Sequence, residues 1–452
     1  MKPRRLPRKR WIFLALLVLA GIGVWFFGFR TEPLDPRFNG AYRLDDGRLV
    51  FVTARDGDTL RYSMMNGESR ALWPAGENTF EAGPGWSKPT PVQVRVAFSP
   101  PRDGGYPEGF AWKGPDGAEK RARRLDLPET RFTFPSGDLT LRGKLVTPPG
   151  KGPFPVVVIV HGSGKESAVD GYAMPYLFAS HGIATLVYDK RGTGESEGDY
   201  TQNFHVLARD VLAAVDWLRN QPVIDASRIH LSGYSQGGWI APLAASKTKG
   251  IRSVLVNYGP MVPITGEDRW GYVYALRRKG FSEDAVREAD RVNDVIGAVV
   301  DHGEDRWDEL GRLLDESRDK PWFAAVQGSD SALGFVTGSR MPRWVMRLYA
   351  WWMLRPREEP FVDRLYDPVP TVASLTGTPS LWLLADEDES MPTGWTAEKL
   401  EELRKAGRPI EMKIYPGTDH GIIRFQETPA GEREYLGYHP EYFADQVSWL
   451  RR

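Results

Sequence analysis

The pentapeptide GYSQG at residues 233–237 constrains the fold of this 452-residue chain more than any other segment. A short apolar run at 229–231 precedes it, and a stretch compatible with a helix, 239–245, follows it. The context is therefore a strand, a sharp turn and a helix. A Cβ atom on either glycine would strike the neighbouring strand or helix, which explains why both positions are small. The pattern predicts that Ser235 is lifted out of a sheet with its hydroxyl exposed.

A serine hydroxyl becomes a nucleophile at neutral pH when a base removes its proton and a carboxylate holds that base. The carboxylate can come from the loop that follows the apolar run 379–385. This loop contains Asp386, Glu387 and Asp388, and all three are candidates for the acid.

The base can come from the turn that follows the alternating run 410–415, which is typical of a half-buried strand. This turn contains Asp419, a further candidate for the acid, and His420. The other histidine beyond the acidic loop is His439, in a tail segment with no predicted strand before it. His420 is therefore the expected base.

These segments, in this order, resemble those of the α/β-hydrolase superfamily, whose acid commonly lies in a G-x-x-D-x-x-V-P loop and whose histidine lies in a G-x-x-H turn. The resemblance covers about residues 129–452. It selects Asp388 as the acid, with Ala385 in place of the usual glycine and Met391 in place of the usual valine. It thus implies a catalytic triad of Ser235, His420 and Asp388, with no metal ion and no cofactor.

The resemblance also implies an oxyanion hole made of two backbone N–H donors. Gln236, the residue after the nucleophile, supplies the first. The run 155–160 is rich in β-branched residues, as in a strand buried on both faces, and ends at the sequence HGSG, residues 161–164. By similarity to the His-Gly loop of the superfamily, Ser163 supplies the second donor.

A D-x-R-G-x-G-x-S pattern occupies residues 189–196, after another apolar strand. In the superfamily such a loop shapes the rim under the active site. We interpret it as a turn held by Asp189 and Arg191, without a catalytic role.

The alternation of strands and helices after residue 129 predicts the α/β class. The expected architecture is an α/β-hydrolase fold, a mostly parallel sheet flanked by helices, over residues 129–452. Asp388 follows Ser235 by more residues than one strand and its crossover need. The helical periodicity of about 263–368 predicts that the excess is a cap insertion.

The last helical stretch of the predicted cap concentrates tryptophans. Caps in this position usually roof the acyl pocket, and packed aromatics against the main sheet are the alternative. We interpret three of them as candidate substrate-binding residues: Trp344, Trp351 and Trp352.

Residues 31–128 predict a small antiparallel β module, an open barrel or sandwich, which precedes the catalytic domain. The module has no motif that indicates chemistry. Its predicted strands are the alternating runs 47–53, 59–64, 69–73, 92–98, 109–112 and 118–124.

Residues 1–30 begin with a basic stretch and continue with an uncharged apolar run, 11–29, long enough to cross a bilayer as a helix. The basic side chains before this run place that end in the cytoplasm. The sequence therefore predicts a single-pass transmembrane anchor with the catalytic domain outside the cytoplasm, on the periplasmic or extracellular face. A cleaved signal peptide is the alternative.

Composition excludes several classes of function. The net charge is +0, so the chain lacks the concentrated basic character of a nucleic-acid-binding protein. It has no cysteine, which excludes disulfides, thiolate metal sites and a cysteine nucleophile. The sequence does not define an oligomeric state.

The resemblance implies a serine hydrolase that acts on small acyl compounds, with carboxylic esters favoured, through an acyl-enzyme. A serine aminopeptidase or prolyl oligopeptidase-like peptidase is the alternative, because residues 233–238 also fit G-x-S-x-G-G. Against it stand the lack of a propeller and of an evident carboxylate pair for a free amino terminus. A catalytically silent binding protein tethered to the membrane is a third hypothesis.

Overall fold

The computed structural model describes residues 36–55, 59–101, 105–339, 341–353 and 360–452. Within these ranges, a β-barrel is followed by an α/β sheet that carries a helical insertion and a small terminal sheet.

The barrel follows a short 3-10 turn at Pro36–Phe38. Each strand pairs antiparallel with the next, and the first pairs with the last, so the barrel is closed. Aromatic and branched side chains fill it, with the rings of Tyr42, Phe98 and Phe110 in contact. The strands are β1 (Gly40–Leu44), β2 (Leu49–Ala54), β3 (Leu60–Met64), β4 (Ser69–Gly76), β5 (Thr79–Ala82), β6 (Val94–Phe98), β7 (Gly109–Lys113) and β8 (Glu119–Arg124).

The closure corrects the sequence prediction of an open barrel or sandwich. The sequence pattern missed β1 and β5, both of which are short. β1 is the strand that pairs with both β2 and β8, with Tyr42 opposite Val50 on one side and Arg124 on the other. A barrel has no free edges, and closure here needs both missed strands, because β5 likewise links β4 to β6.

The main sheet has eight strands in the order β16-β15-β14-β13-β11-β12-β10-β9. β9 and β10 form an antiparallel hairpin, β10 also pairs antiparallel with β12, and the remaining neighbours are parallel. The strands are β9 (Glu129–Ser136), β10 (Leu139–Val146), β11 (Phe154–Val160), β12 (Ala184–Tyr188), β13 (Ile224–Tyr234), β14 (Ile251–Asn257), β15 (Ser380–Ala385) and β16 (Ile410–Tyr415).

Helices cover both faces of this sheet, because its central strands are buried on both sides and need apolar partners there. The helix Phe204–Arg219 shows the pattern: the Asn203 side chain accepts from the N–H of Val206 at its start, and its apolar stripe is buried. The other flanking helices are Ala168–Gly171, Met174–Ser180, Gly237–Ser246, Pro368–Ser374, Thr393–Lys405 and Tyr442–Leu450.

The cap insertion between β14 and β15 consists of helices that pack around a core of their own. Tyr272, Val292 and Trp322 are buried in that core. The cap helices are Ile264–Arg278, Glu283–Val300, Trp307–Ser317, Pro321–Val326, Ala332–Gly338 and Arg343–Met353.

A three-stranded antiparallel sheet follows β16: β17 (Thr418–Asp419), β18 (Ile423–Glu427) and β19 (Arg433–Tyr438). It joins the barrel, since the N–H of Trp86 donates to the carbonyl of Tyr435 and the N–H of Tyr438 donates to that of Gly67, each at 2.8 Å. This sheet corrects the prediction that no strand precedes His439. Its strands were missed because they alternate weakly and remain half-exposed.

Within the described ranges, every helix is too short or too polar to cross a bilayer. The longest, Glu283–Val300, interleaves acidic and basic side chains along its 18 residues, whereas a spanning helix needs about 20 predominantly apolar ones. This finding corrects the transmembrane helix in the predicted fold class, and with it the single-pass membrane localisation and the membrane as a partner. The apolar run 11–29 lies outside the described residues.

Candidate active site

The turn at Ser235 has the strained geometry that the GYSQG motif predicts. Ser235 has a φ of 53°, in the left-handed region, and its N–H donates to the carbonyl of Asn257 at 3.0 Å. A Cβ on Gly233 would lie 2.2 Å from the carbonyl oxygen of Gly237, and one on Gly237 would lie 2.0 Å from that of Val160. The steric reason given for the two glycines is confirmed.

Three side chains from distant parts of the chain form one hydrogen-bond chain at this turn. Nε2 of His420 lies 3.0 Å from Oγ of Ser235, and Nδ1 of His420 lies 2.9 Å from Oδ2 of Asp388. Asp388 is 1% exposed, and its Oδ1 also accepts from the N–H groups of Ser390 and Met391. The carboxylate is therefore held on one side by its own loop and presents the other side to the imidazole.

The other candidate acids have different partners. Asp386 accepts from the N–H groups of Gly417 and Thr418, so it closes the turn after β16. Asp419 is buried and accepts from Tyr435 and from Arg433, whose Nη1 lies 2.6 Å from Oδ2. Neither carboxylate contacts the imidazole of His420.

The Asp419–Arg433 pair connects the two loops that carry His420 and Asp388. Asp419 accepts from the backbone N–H of His420 and from that of Glu389. Arg433 also donates to the carbonyl of Glu387, and it bonds the hydroxyl of Tyr274 on the cap. Burial alone would raise the pKa of Asp419, but its hydrogen bonds with Arg433 and the surrounding donors lower it overall.

The environment of His420 favours its protonated form. Burial would lower the pKa of the imidazole, but the charge of Asp388 and its hydrogen bond outweigh that effect, so the pKa is raised above 6.5. The ring of Tyr258 packs edge-on against it, 4.8 Å between centroids. Such a group can accept the proton of the Ser235 hydroxyl and remain stable as an imidazolium.

Ser235, Gln236 and Ser163 line one cavity of about 320 Å³ under the cap. Gln236 begins the helix that follows the turn. A Cβ on Gly162, before Ser163, would lie 3.4 Å from the Cβ of Ser235, so the HGSG loop passes directly beside the serine. The structure thus brings together the triad candidates and both candidate oxyanion residues.

Acidic side chains dominate the cap side of this cavity. Glu267 and Asp268 come from the cap helix Ile264–Arg278, and Asp330 and Glu389 also border the cavity, against the single cation Arg364 among its described lining residues. Burial, with Asp330 and Asp268 adding to it, raises the pKa of Glu267 to about 8. The sequence analysis did not identify these acidic residues, because the helical periodicity of the cap predicts that they lie on a solvent-exposed face.

The three tryptophans predicted to bind substrate are not found at this cavity among the residues that the structure describes. Trp344 is 70% exposed and borders a separate hollow within the cap, beside Trp307 and Leu314. The structure does not bring it to the cavity of Ser235. The side chains of Trp351 and Trp352 lie outside the described part of the chain.

The rim loop is held as the sequence analysis expected. Asp189 accepts from the hydroxyl of Ser167 and from the N–H of Val169, while Arg191 makes two hydrogen bonds with the buried Asp210. In the part of the chain that the structure describes, no group of three or more acidic or histidine side chains is arranged to hold a metal ion.

Comparison with known proteins finds hydrolases among the similar sequences. Residues 137–291 match the model of the X-Pro dipeptidyl-peptidase (S15) family. Esterase EstD of Thermotoga maritima is 33% identical over 157 residues, which cover 32% of this chain and 37% of the esterase. Thiohydrolase aneE of Aspergillus aculeatus is 26% identical over 319 residues, 65% of this chain and 86% of the thiohydrolase.

These sequence matches support a serine hydrolase of the α/β-hydrolase superfamily. Among solved structures, the hydrolase is similar to an acylaminoacyl peptidase of Pyrococcus horikoshii with a TM-score of 0.44 and 15% identity, over 90% of this chain and 56% of that one. The two relatives matched by sequence are named as an esterase and as a thiohydrolase. The S15 match ends before both Asp388 and His420.

Proposed function

We propose that this hydrolase cleaves carboxylic esters, with Ser235 as nucleophile, His420 as general base and Asp388 as the acid that orients it. The observation that carries the proposal is the hydrogen-bond chain from Oγ of Ser235 through both ring nitrogens of His420 to the buried carboxylate of Asp388. Asp388 fixes the tautomer that leaves Nε2 free to accept a proton, and its charge stabilises the imidazolium.

The reaction proceeds in two steps, acylation of Ser235 and hydrolysis of the acyl-enzyme. Nε2 of His420 takes the hydroxyl proton as Oγ of Ser235 bonds to the ester carbonyl carbon. The tetrahedral intermediate then breaks its C–O bond, and His420 returns the proton to the leaving alcohol. Water next attacks the acyl-enzyme while the same nitrogen takes one of its protons. The second tetrahedral intermediate then breaks its bond to Oγ of Ser235, which takes that proton back from His420, and the carboxylic acid leaves. The backbone N–H groups of Gln236 and Ser163 would hold the developing oxyanion.

A peptidase is the second candidate, and the S15 match over residues 137–291 favours it. That match includes Ser235, Gln236 and Ser163, which any acyl transfer of this type would use. It leaves out most of the cap and both loops after β15 and β16, where the leaving group and acyl substituents would be distinguished. The esterase and thiohydrolase relatives favour an oxygen or sulfur leaving group instead.

A fluorophosphonate probe followed by a substrate panel tests both candidates. Wild-type protein should be labelled at Ser235, and Ser235→Ala should not be labelled. A matched set of an ester, a thioester and an anilide of the same acyl group then compares kcat/KM for the leaving groups. Ester hydrolysis at least about tenfold faster than anilide hydrolysis, beyond their intrinsic reactivity difference, supports the esterase. Faster cleavage of a dipeptidyl anilide would favour the peptidase.

A further inference from the structure

Lys190 is a buried cation in the rim loop, and the sequence analysis assigned it no role. It is 2% exposed, and its Nζ donates to the carbonyl oxygen of Gly162 at 2.8 Å. Burying an ammonium group has a substantial desolvation cost, so the buried Lys190 side chain needs a compensating interaction. A hydrogen bond from an ammonium to a carbonyl is of the stronger, charge-assisted kind.

The contact fixes the orientation of a peptide unit that faces the nucleophile. The carbonyl of Gly162 and the N–H of Ser163 belong to the same planar peptide, and in a trans peptide these two bonds point in opposite directions. With the carbonyl drawn to Lys190, the N–H of Ser163 is directed away from the lysine. Ser163 lines the cavity that contains Ser235, and a Cβ on Gly162 would lie 3.4 Å from the Cβ of Ser235, so this peptide lies beside the nucleophile.

We infer that Lys190 is a positioning residue for the oxyanion hole: it holds the Gly162–Ser163 peptide so that the Ser163 N–H faces the oxyanion. This inference rests on the proposed function. A cation on the carbonyl also polarises the peptide and makes its N–H a stronger donor. Lys190 therefore acts on the transition state through the peptide, without touching the substrate.

The surroundings of Lys190 leave its charge titratable near neutral pH. Burial lowers the pKa of Lys190 to about 8, and the carboxylate of Glu166 opposes that change. The ring of Tyr200 lies 4.9 Å from Nζ. On the other side, burial and then the charge of Lys190 lower the pKa of His161 to about 3, so this neighbour remains neutral. The Lys190 charge is thus present below pH 8 and lost above it.

Three substitutions separate a donor role from a packing role. Lys190→Met keeps the length of the side chain but removes the donor, Lys190→Gln keeps a neutral donor, and Lys190→Arg keeps a charged one. We expect Met to lower kcat for ester hydrolysis by about 10- to 100-fold, since losing an oxyanion donor outright costs about 10²- to 10³-fold. Gln should fall between Met and Arg. A packing role predicts the reverse order, because Met is the closest in shape.

The affinity for a tetrahedral adduct, compared with the affinity for a ground-state analogue, separates loss of the oxyanion contact from a general structural defect. A boronic acid that bonds to Ser235 mimics the oxyanion intermediate, and a non-hydrolysable amide of the same acyl group mimics the ground state. Lys190→Met should lower the affinity for the boronic acid by the same factor by which it lowers kcat. It should leave the affinity for the amide within about twofold of the wild type. In Lys190→Arg, the alkaline decline of kcat that begins near pH 8 in the wild type should move upward.

Lys144→Met is the matched control. Lys144 is also a fully buried lysine of the main sheet, but its Nζ contacts Tyr176 and Asp170 rather than the HGSG loop. Its substitution should lower thermal stability without changing kcat per active site, as counted by fluorophosphonate titration. If Lys190→Met fails to fold, the test is whether kcat of Lys190→Gln is lower than kcat of Lys190→Arg.

Two outcomes would overturn the inference. The first is a Lys190→Met or Lys190→Gln variant with kcat per active site and boronic acid affinity within twofold of the wild type. The second is equal weakening of boronic acid and amide in every variant. Ser235→Ala, run in parallel, distinguishes failure of the proposed function: if it remains active and is labelled, the nucleophile is wrong and the inference fails with it.

Discussion

The two sides of the Ser235 cavity are built in different ways. We call Ser235, His420 and Asp388 the floor, and Glu267, Asp268 and Asp330 the roof. On the floor, the imidazole and the carboxylate have partners at 2.8–3.1 Å on loops that follow sheet strands. On the roof, Glu267 makes no hydrogen bond or ion pair with a described side chain and Asp330 is exposed, whereas Asp268 accepts from the N–H of Ala332 and pairs with Arg364.

This difference indicates that the floor and the roof have different roles. Groups that are fully partnered and buried are preorganised, as acid–base chemistry requires. Carboxyl groups that remain without partners beside a nucleophile are available to a ligand. We therefore expect substitutions on the floor to change the rate for every substrate, and substitutions on the roof to change which substrate is preferred.

The largest effect should come from the two groups that exchange the proton. Ser235→Ala and His420→Ala should each lower kcat by about 10⁴- to 10⁶-fold, because the triad acts as a unit. Single-turnover ester hydrolysis measures this loss, with circular dichroism as the check on folding. Residual activity within 100-fold of the wild type in either folded variant would contradict the assignment of the floor.

Asp388→Asn should lower kcat/KM by about 10³- to 10⁴-fold, since the amide stabilises the wrong tautomer of His420. It should also move the acid limb of the pH profile. Asp388 raises the pKa of His420, so wild-type activity should fall as the pH decreases through a value above 6.5, and the limb should move lower in the variant. Asp386→Asn is the matched control, and it should remain within about tenfold of the wild type. The reverse result would transfer the acid to Asp386.

Arg433→Met should destabilise the protein, because it leaves the buried carboxylate of Asp419 without its cation. Removing one partner of a buried pair costs about 3–5 kcal/mol. Since the pKa of Asp419 is lowered in the folded state, this stabilisation exists at neutral pH and is lost as the pH falls through the acid range. Urea unfolding at pH 7 and at acid pH measures it.

The double variant Arg433→Met/Asp419→Asn should recover part of that stability. Arg404→Met, which removes an exposed pair with Glu401, should leave the stability close to that of the wild type. An Arg433→Met protein as stable as the wild type would mean that the pair does not secure the two loops.

Glu267→Gln should change preference rather than rate. Above pH 8, where Glu267 is ionised, we expect the ratio of kcat/KM for an ester with a cationic acyl group to that for its neutral isostere to fall by about 2- to 5-fold, because an ionised carboxylate attracts a cation. In the wild type this ratio should rise as the pH increases through 8, where Glu267 ionises, and the variant should lose the rise. An unchanged ratio and pH dependence would remove Glu267 from substrate selection.

Trp344→Ala should have the smallest effect. Its side chain is exposed and borders a different hollow, so the acyl chain-length profile should remain within about twofold of the wild type. Hydrolysis of a series of straight-chain esters measures it. A displaced optimum in a folded variant would restore Trp344 as a substrate-binding residue and show that the cap reaches further over the cavity.

Local patterns were sufficient where one element decides the geometry. The glycines of GYSQG indicate a tight turn because a Cβ on Gly233 would meet the carbonyl of Gly237 within the same motif, although the crowding at Gly237 comes from Val160 on a neighbouring strand. Apolar runs predicted the strands of the main sheet, whose burial on both faces requires them. Short or half-exposed strands such as β1, β5 and β19 carry a weaker pattern, and these were the ones missed.

The sequence by itself determined the serine turn, the acidic loop, the histidine turn and their order, because each is encoded within a few consecutive residues. Only the tertiary structure decided which carboxylate meets His420, since Asp386, Asp388 and Asp419 differ in their partners rather than in their type. The same holds for the acidic roof and for the contact of Lys190 with Gly162. These arise where segments distant in the chain converge, and the charges and hydrogen bonds that result have no local signature.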